Sequence, residues 1–153
     1  MKPVSILLLL IILGLSKADA QSVTAEETAV SASITRLFDG MRTADTTLIR
    51  SAFAAKCLMQ TIAVNKEGKA MVRTESVDGF IKSVGAPHPE KYDERIVFTK
   101  ILIDGNLASV WTDYKFYVGE KFSHCGVNSF QLFKDENGWK IIYLIDTRRK
   151  DSC

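Results

Sequence analysis

YDERIVFTKILIDGNLASVWTDYKFYVGEKFSHCGVNSFQLFKDENGWKIIYLIDTRR, residues Tyr92 to Arg149, is the stretch that decides the fold. It divides into four β-rich runs: Arg95–Ile103, Leu107–Val118, Phe122–Lys134 and Trp139–Thr147. Asp104-Gly105-Asn106, Gly119-Glu120-Lys121 and Asp135-Glu136-Asn137-Gly138 lie between them. Short Gly/Asn/Asp connections between β-rich runs are hairpin signals. The spacing therefore predicts a four-stranded antiparallel meander.

Upstream, the periodicity changes. Thr24-Ala25-Glu26-Glu27 has the form of a capping box. Behind it Val30, Ile34, Leu37, Phe38 and Met41 recur at helical spacing, which predicts a helix to about Arg42 with one apolar stripe. Asp45 is a good N-cap for a short second helix holding Leu48, Ile49, Ala52 and Phe53. Cys57–Val64 and Lys69–Thr74 read as a strand pair around the turn Asn65-Lys66-Glu67-Gly68. Ser76 caps a third helix marked by Val77, Phe80, Ile81 and Val84, with Gly85 expected one position past its end. Ala86-Pro87-His88-Pro89 is an extended connector. Helices beside an antiparallel sheet make an α+β fold. The long first helix crossing a twisted sheet favours a curved, cone-shaped arrangement with the N-terminal helices over its concave face.

The N-terminal stretch has another reading. Met1-Lys2-Pro3 is followed by an apolar run from Ile6 to Leu15 and by Ala18-Asp19-Ala20. This is a signal-peptide pattern, with cleavage expected after Ala20. Residues 1–20 are thus expected to direct export, to the periplasm or the medium, leaving a single domain over residues 21–153 and no membrane segment after cleavage. The remainder is close to neutral, which argues against nucleic-acid binding. Three cysteines, Cys57, Cys125 and Cys153, allow one disulfide in an oxidising compartment, with its pairing open. There is no C-x-x-C, and two histidines without an acidic cluster do not make a metal site. No metal and no cofactor are expected.

Strand alternation sorts the sheet faces. Pairing Lys134 with Trp139 and Val118 with Phe122 puts Ala108, Val110, Phe130, Leu132, Trp139 and Ile141 on one face at its closed end. Thr112, Tyr114, Phe116, Phe122, His124, Gly126, Asn128, Tyr143, Ile145 and Thr147 share that face toward the other end. Gly126 falls opposite Tyr114, as expected where something approaches the backbone. An apolar pocket with a few convergent polar groups is the usual form of a small-molecule site. The candidate ligand-binding residues are Tyr114, His124, Asn128 and Tyr143 as polar contacts, with Trp139 and Phe130 at the base. Asp113 and Asp146 fall on the outer face in this register. The outer face also carries Trp111, Tyr117, Phe133 and Leu144, enough apolar area to suggest a second copy as partner.

The order of elements resembles the nuclear transport factor-like superfamily. So do Phe38-Asp39-Gly40-Met41 with Asp45 soon after, Phe122-Ser123-His124-Cys125-Gly126, and Gly138-Trp139-Lys140-Ile141. Within it the chain is most similar to the lumazine-binding branch of small bacterial proteins. The resemblance implies a cone-shaped α+β fold, a pocket between sheet and helices, and frequent dimerisation through the sheet. It also implies a heteroaromatic ligand. The superfamily's enzymes include ketosteroid isomerases, scytalone dehydratase and polyketide cyclases.

Three functions follow as expectations. The first is an exported binding module for a small, partly aromatic molecule. The second is an isomerase, dehydratase or cyclase with His124 as general base, although no carboxylate joins it in this register. Shifting Leu107–Val118 by one residue would bring Trp111 and Asp113 inward beside His124. The third is a structural or interaction dimer whose cone is filled.

Overall fold

The computed structural model describes residues 23–153. The signal segment expected at residues 1–20 lies outside them. The chain opens with α1 (Ala25–Thr43). The Thr24 side chain accepts from the Glu27 N–H, and Glu27 Oε2 accepts from the Thr24 N–H at 2.7 Å. The expected capping box is thus formed. Ala44 ends the helix in the left-handed region at φ 53°, donating to the carbonyls of Gly40 and Met41. Asp45 then caps α2 (Thr46–Ala52), its carboxylate accepting from the Leu48 N–H at 2.9 Å.

Phe53 was expected inside that second helix but is the first residue of β1 (Phe53–Val64), where it pairs with Ile141. β2 (Ala70–Glu75) returns beside it after a turn in which Asn65 Oδ1 accepts from the N–H groups of Glu67 and Lys69. Gly68 takes φ 78° there. Ser76 caps α3 (Val77–Gly85), with Gly85 as its last residue rather than one beyond. The meander follows as β3 (Tyr92–Asp104), β4 (Leu107–Val118), β5 (Lys121–Asp135) and β6 (Gly138–Thr147).

The six strands form one curved, unclosed sheet in the order β2-β1-β6-β5-β4-β3. β1 and β6 run parallel, and the other neighbours are antiparallel. The stripe Val30, Ile34, Leu37, Phe38 and Met41 is buried against the concave face, in one core with Phe130, Leu132, Trp139 and Ile141. Phe38 meets the Phe130 ring edge-on at 6.3 Å. Ser33, wholly buried, donates to the Trp139 carbonyl at 2.7 Å. Glu26 accepts from Trp139 Nε1 at 3.0 Å and from Lys134 at 2.7 Å, which fixes the start of the helix over the last hairpin.

Two ladders depart from strict alternation. In β4–β5 the expected register holds from Leu107↔Phe133 to Phe116↔His124, with Tyr114 opposite Gly126. It then slips by one, so Phe122 pairs with Tyr117 and not with Val118. Phe122 therefore leaves the concave face, and its ring meets Tyr117 at 5.8 Å. In β5–β6, Lys134↔Trp139 and Leu132↔Ile141 pair as expected, but Gln131 then faces Tyr143. Ile142 is the extra residue of a β-bulge, and one inserted residue exchanges the faces of everything beyond it. Leu144 and Asp146 point inward, whereas Tyr143, Ile145 and Thr147 do not. That overturns the expected placement of all five. The run Ile142-Tyr143-Leu144-Ile145 is apolar at every position, so its alternation carries no register signal.

Candidate functional site

The concave face is built in cross-strand rows. Toward the closed end, Val110, Phe130, Leu144 and Met59 follow one another across β4, β5, β6 and β1. The next row is polar: Thr112, Asn128, Asp146 and Thr61. Above these rows, between the sheet, α1 and α3, lies a cavity of about 590 Å³. Leu37, Phe38, Met41 and Phe80 form its apolar wall, and Arg73 and Glu75 of β2 stand on its lining.

Glu94 of β3 reaches the same cavity, and its Oε1 accepts from Asn128 Nδ2 at 2.8 Å. Its side chain keeps some exposure to the opening, while protein surrounds the carboxyl group. Burial raises its pKa from the ordinary value to about 7, against the Asn128 hydrogen bond, and the Asp146 charge adds to the rise. Asp146 Oδ2 accepts from Arg148 Nε at 2.9 Å and from the Tyr114 hydroxyl at 3.3 Å. A pocket carboxylate pair is therefore present, although neither member was expected on this face.

The expected site residues part company here. Asn128 lies on the cavity floor. Tyr114 is buried just beyond it, and its hydroxyl donates to the Thr147 carbonyl at 2.8 Å. Burial and the neighbouring carboxylates raise its pKa, so the phenol stays protonated. His124 does sit on the concave face, edge-on to Tyr114 at 5.7 Å and tilted over Phe116 at 5.1 Å. Its Nδ1 is 3.0 Å from Ser123 Oγ, and its ring lies outside the cavity lining. Burial, then the Arg148 charge, lower its pKa. Phe130 and Trp139 are packed into the core beneath α1 and line no part of the cavity. Tyr143 is on the outer face, where its hydroxyl donates to Gln60 Oε1 at 2.7 Å.

Gly126 is where the open end closes. A Cβ there would lie 1.8 Å from the Thr147 carbonyl oxygen and 2.7 Å from Tyr114 Cε1. The glycine lets β6's end cross close to β5. On the other face Cys125 is bonded to Cys153, and Arg149 pairs with Cys125 through both backbone groups. Cys57 is free.

Sequence reasoning missed Glu94, Asp146, Arg148, Arg73 and Thr61. Glu94 had a readable signal. It shares parity with Ile96 and Phe98, but the strand was expected to begin at Arg95 and begins three residues earlier, at Tyr92. Asp146 had none, because the bulge at Ile142 decides its face. Among the described residues no group of three or more His, Cys, Asp or Glu could hold a metal ion, and no helix is long and apolar enough to cross a membrane.

The fold is shared with solved structures. An NTF2-like protein of unknown function from Shewanella baltica OS155 superposes with TM-score 0.66 at 20% identity, over 82% of this chain and 95% of the other. An NTF2-like protein of unknown function from Silicibacter pomeroyi DSS-3 gives 0.62 at 18% identity, over 80% and 94%. One with a cystatin-like fold from Novosphingobium aromaticivorans gives 0.65 at 6% identity, over 84% of each chain. No curated protein matches the chain. The family described as "Putative lumazine-binding" matches residues 25–143. The chain therefore belongs to that family, with the fold of the NTF2-like solved structures.

Proposed function

We propose that this chain is an exported module that binds a small, flat, partly heteroaromatic molecule in the cavity beneath α1. One observation carries the reading. A carboxyl group with a pKa of about 7, Glu94, opens onto a cavity of about 590 Å³ that sets an apolar wall of Leu37, Phe38, Met41, Met59, Phe80 and Leu144 against a polar one. Such a volume suits a drug-sized ligand, and polar groups facing an apolar wall orient it. The family's name supports a heteroaromatic ligand. The signal pattern at residues 1–20 and the Cys125–Cys153 disulfide support export. Exposed Trp111, Phe133, Val97 and Leu102 on the outer face support a second copy as partner. The cavity weighs against a filled cone.

A second reading is favoured by the same carboxyl group. A general base works best with a pKa near the working pH. In a proton-transfer enzyme Glu94 would take that role, since His124 stands outside the cavity lining.

A thermal-shift screen with heteroaromatic and steroid-like compounds tests the binding reading. A true ligand at 100 times its Kd should stabilise the fold by about 2.7 kcal/mol, a rise of several degrees in Tm. No rise with any member of the panel overturns it.

A further inference from the structure

The polar row on the cavity floor has unfinished hydrogen bonding. Thr61, Asp146 and Asn128 are consecutive neighbours across β1, β6 and β5. Thr61 is 8% exposed and lines the cavity, and its hydroxyl oxygen has no partner among the described residues. Asp146 uses Oδ2 for Arg148 and Tyr114, and no described residue donates to its Oδ1. Asn128 gives one amide proton to Glu94 and keeps the other. In order, the row therefore offers a hydroxyl donor, a carboxylate acceptor and an amide donor.

Neighbouring strands lie ~4.8 Å apart, and concave curvature tips adjacent side chains toward one another. The adjacent row brings Met59 and Leu144 to the cavity lining, an apolar surface that suits the body of a flat ring. Buried polar groups are ordinarily paired, so open positions on a cavity floor mark where a ligand's own groups belong.

We propose that this row reads the edge of a cyclic imide or ureide, a ring N–H between two carbonyl groups. Asp146 Oδ1 accepts the N–H. The Thr61 hydroxyl and the free Asn128 amide proton go to the two carbonyl oxygens. Glu94, on the far side of Asn128, holds the amide in its donating orientation. The inference rests on the reading that the cavity takes a flat molecule, and it adds which edge is recognised.

Titration calorimetry with three probes separates the two levels. The probes are lumazine, 3-methyllumazine, which lacks the N–H between the carbonyls, and quinoxaline, an apolar bicycle of similar size. Lumazine should bind at least roughly tenfold more tightly than its methyl derivative, because a buried acceptor facing a methyl group loses its partner. Thr61→Val, which removes only an unpartnered hydroxyl, should weaken lumazine about tenfold while quinoxaline and the melting temperature are unaffected or improved. Equal binding of lumazine and 3-methyllumazine, or an indifferent Thr61→Val, overturns the edge assignment. Binding of quinoxaline with no lumazine binding overturns it too, yet preserves the flat-molecule reading. Failure of all three probes removes that reading and the edge assignment with it.

Discussion

The two ends of the concave face use the same central strands in opposite ways. At the closed end, Phe130, Leu132, Trp139 and Ile141 are packed with the stripe of α1 in one buried core. At the open end, Asn128, Asp146, Glu94 and Arg148 surround a cavity. β5 supplies both ends from a single parity, Phe130 and Leu132 below and Asn128 above. β6 does not. Its bulge at Ile142 converts a strand whose lower half is apolar inward into one whose upper half presents a carboxylate inward. The polar site is thus made less by composition than by one inserted residue. Reading the strand without it places Ile145 opposite Asn128, where Asp146 belongs.

The comparison can be broken at either end. Phe130→Ala removes the wholly buried ring on which Phe38 packs. It should cost about 4 kcal/mol in denaturant unfolding, as large-to-small core changes do. Gly126→Ala strikes the open end instead, pressing a methyl group against the Thr147 backbone. A loss of about 3 kcal/mol is expected, with weakened ligand binding, because Tyr114 and Asp146 hang on the same segment. If Gly126→Ala proves neutral, the close crossing of the two strands there is incorrect.

A smaller effect sharpens the comparison. Glu94 carries a raised pKa, so between pH 4.5 and about 7 the folded state holds a proton that the unfolded chain has released. Stability then falls as pH rises through that window, and the cost is complete above about pH 7. Glu94→Gln keeps the acceptor for Asn128 and removes the charge. It should raise stability by about 2 kcal/mol at pH 8 and change it little at pH 4, as read by Tm against pH. Equal effects at both pH values would show that Glu94 is not buried as described.

Much of the scaffold is legible in the residues. Thr24 with Glu27, Asp45 and Ser76 announce three helix starts because capping is a local matter of hydroxyl or carboxylate oxygens meeting nearby N–H groups. Gly126 announces a close approach, and the structure names what approaches, the Thr147 carbonyl and the Tyr114 ring. The inward face of Asn128 was read correctly because β5 alternates cleanly between Gly126 and Leu132. The rest of the site depends on non-local geometry. Bulges leave little trace in a strand as uniformly apolar as Ile141–Ile145. Thr61 and Arg73 come from a hairpin whose place beside β6 no turn signal indicates. His124 shows the opposite case, since its face was read correctly and yet aromatic neighbours and Ser123 occupy its ring.

The parallel pairing of β1 with β6 has a consequence in time. The four-strand meander can assemble by successive hairpins, each closing a short loop. β1 has to find a partner whose sequence lies across the whole of that meander, and the entropy of closing so long a loop must be met before any contact rewards it. The wall that carries Met59 and Thr61 is therefore the part of the cup that assembles late, after its opposite side has already hardened. A nascent chain would pass through a stage with a finished floor and one missing side.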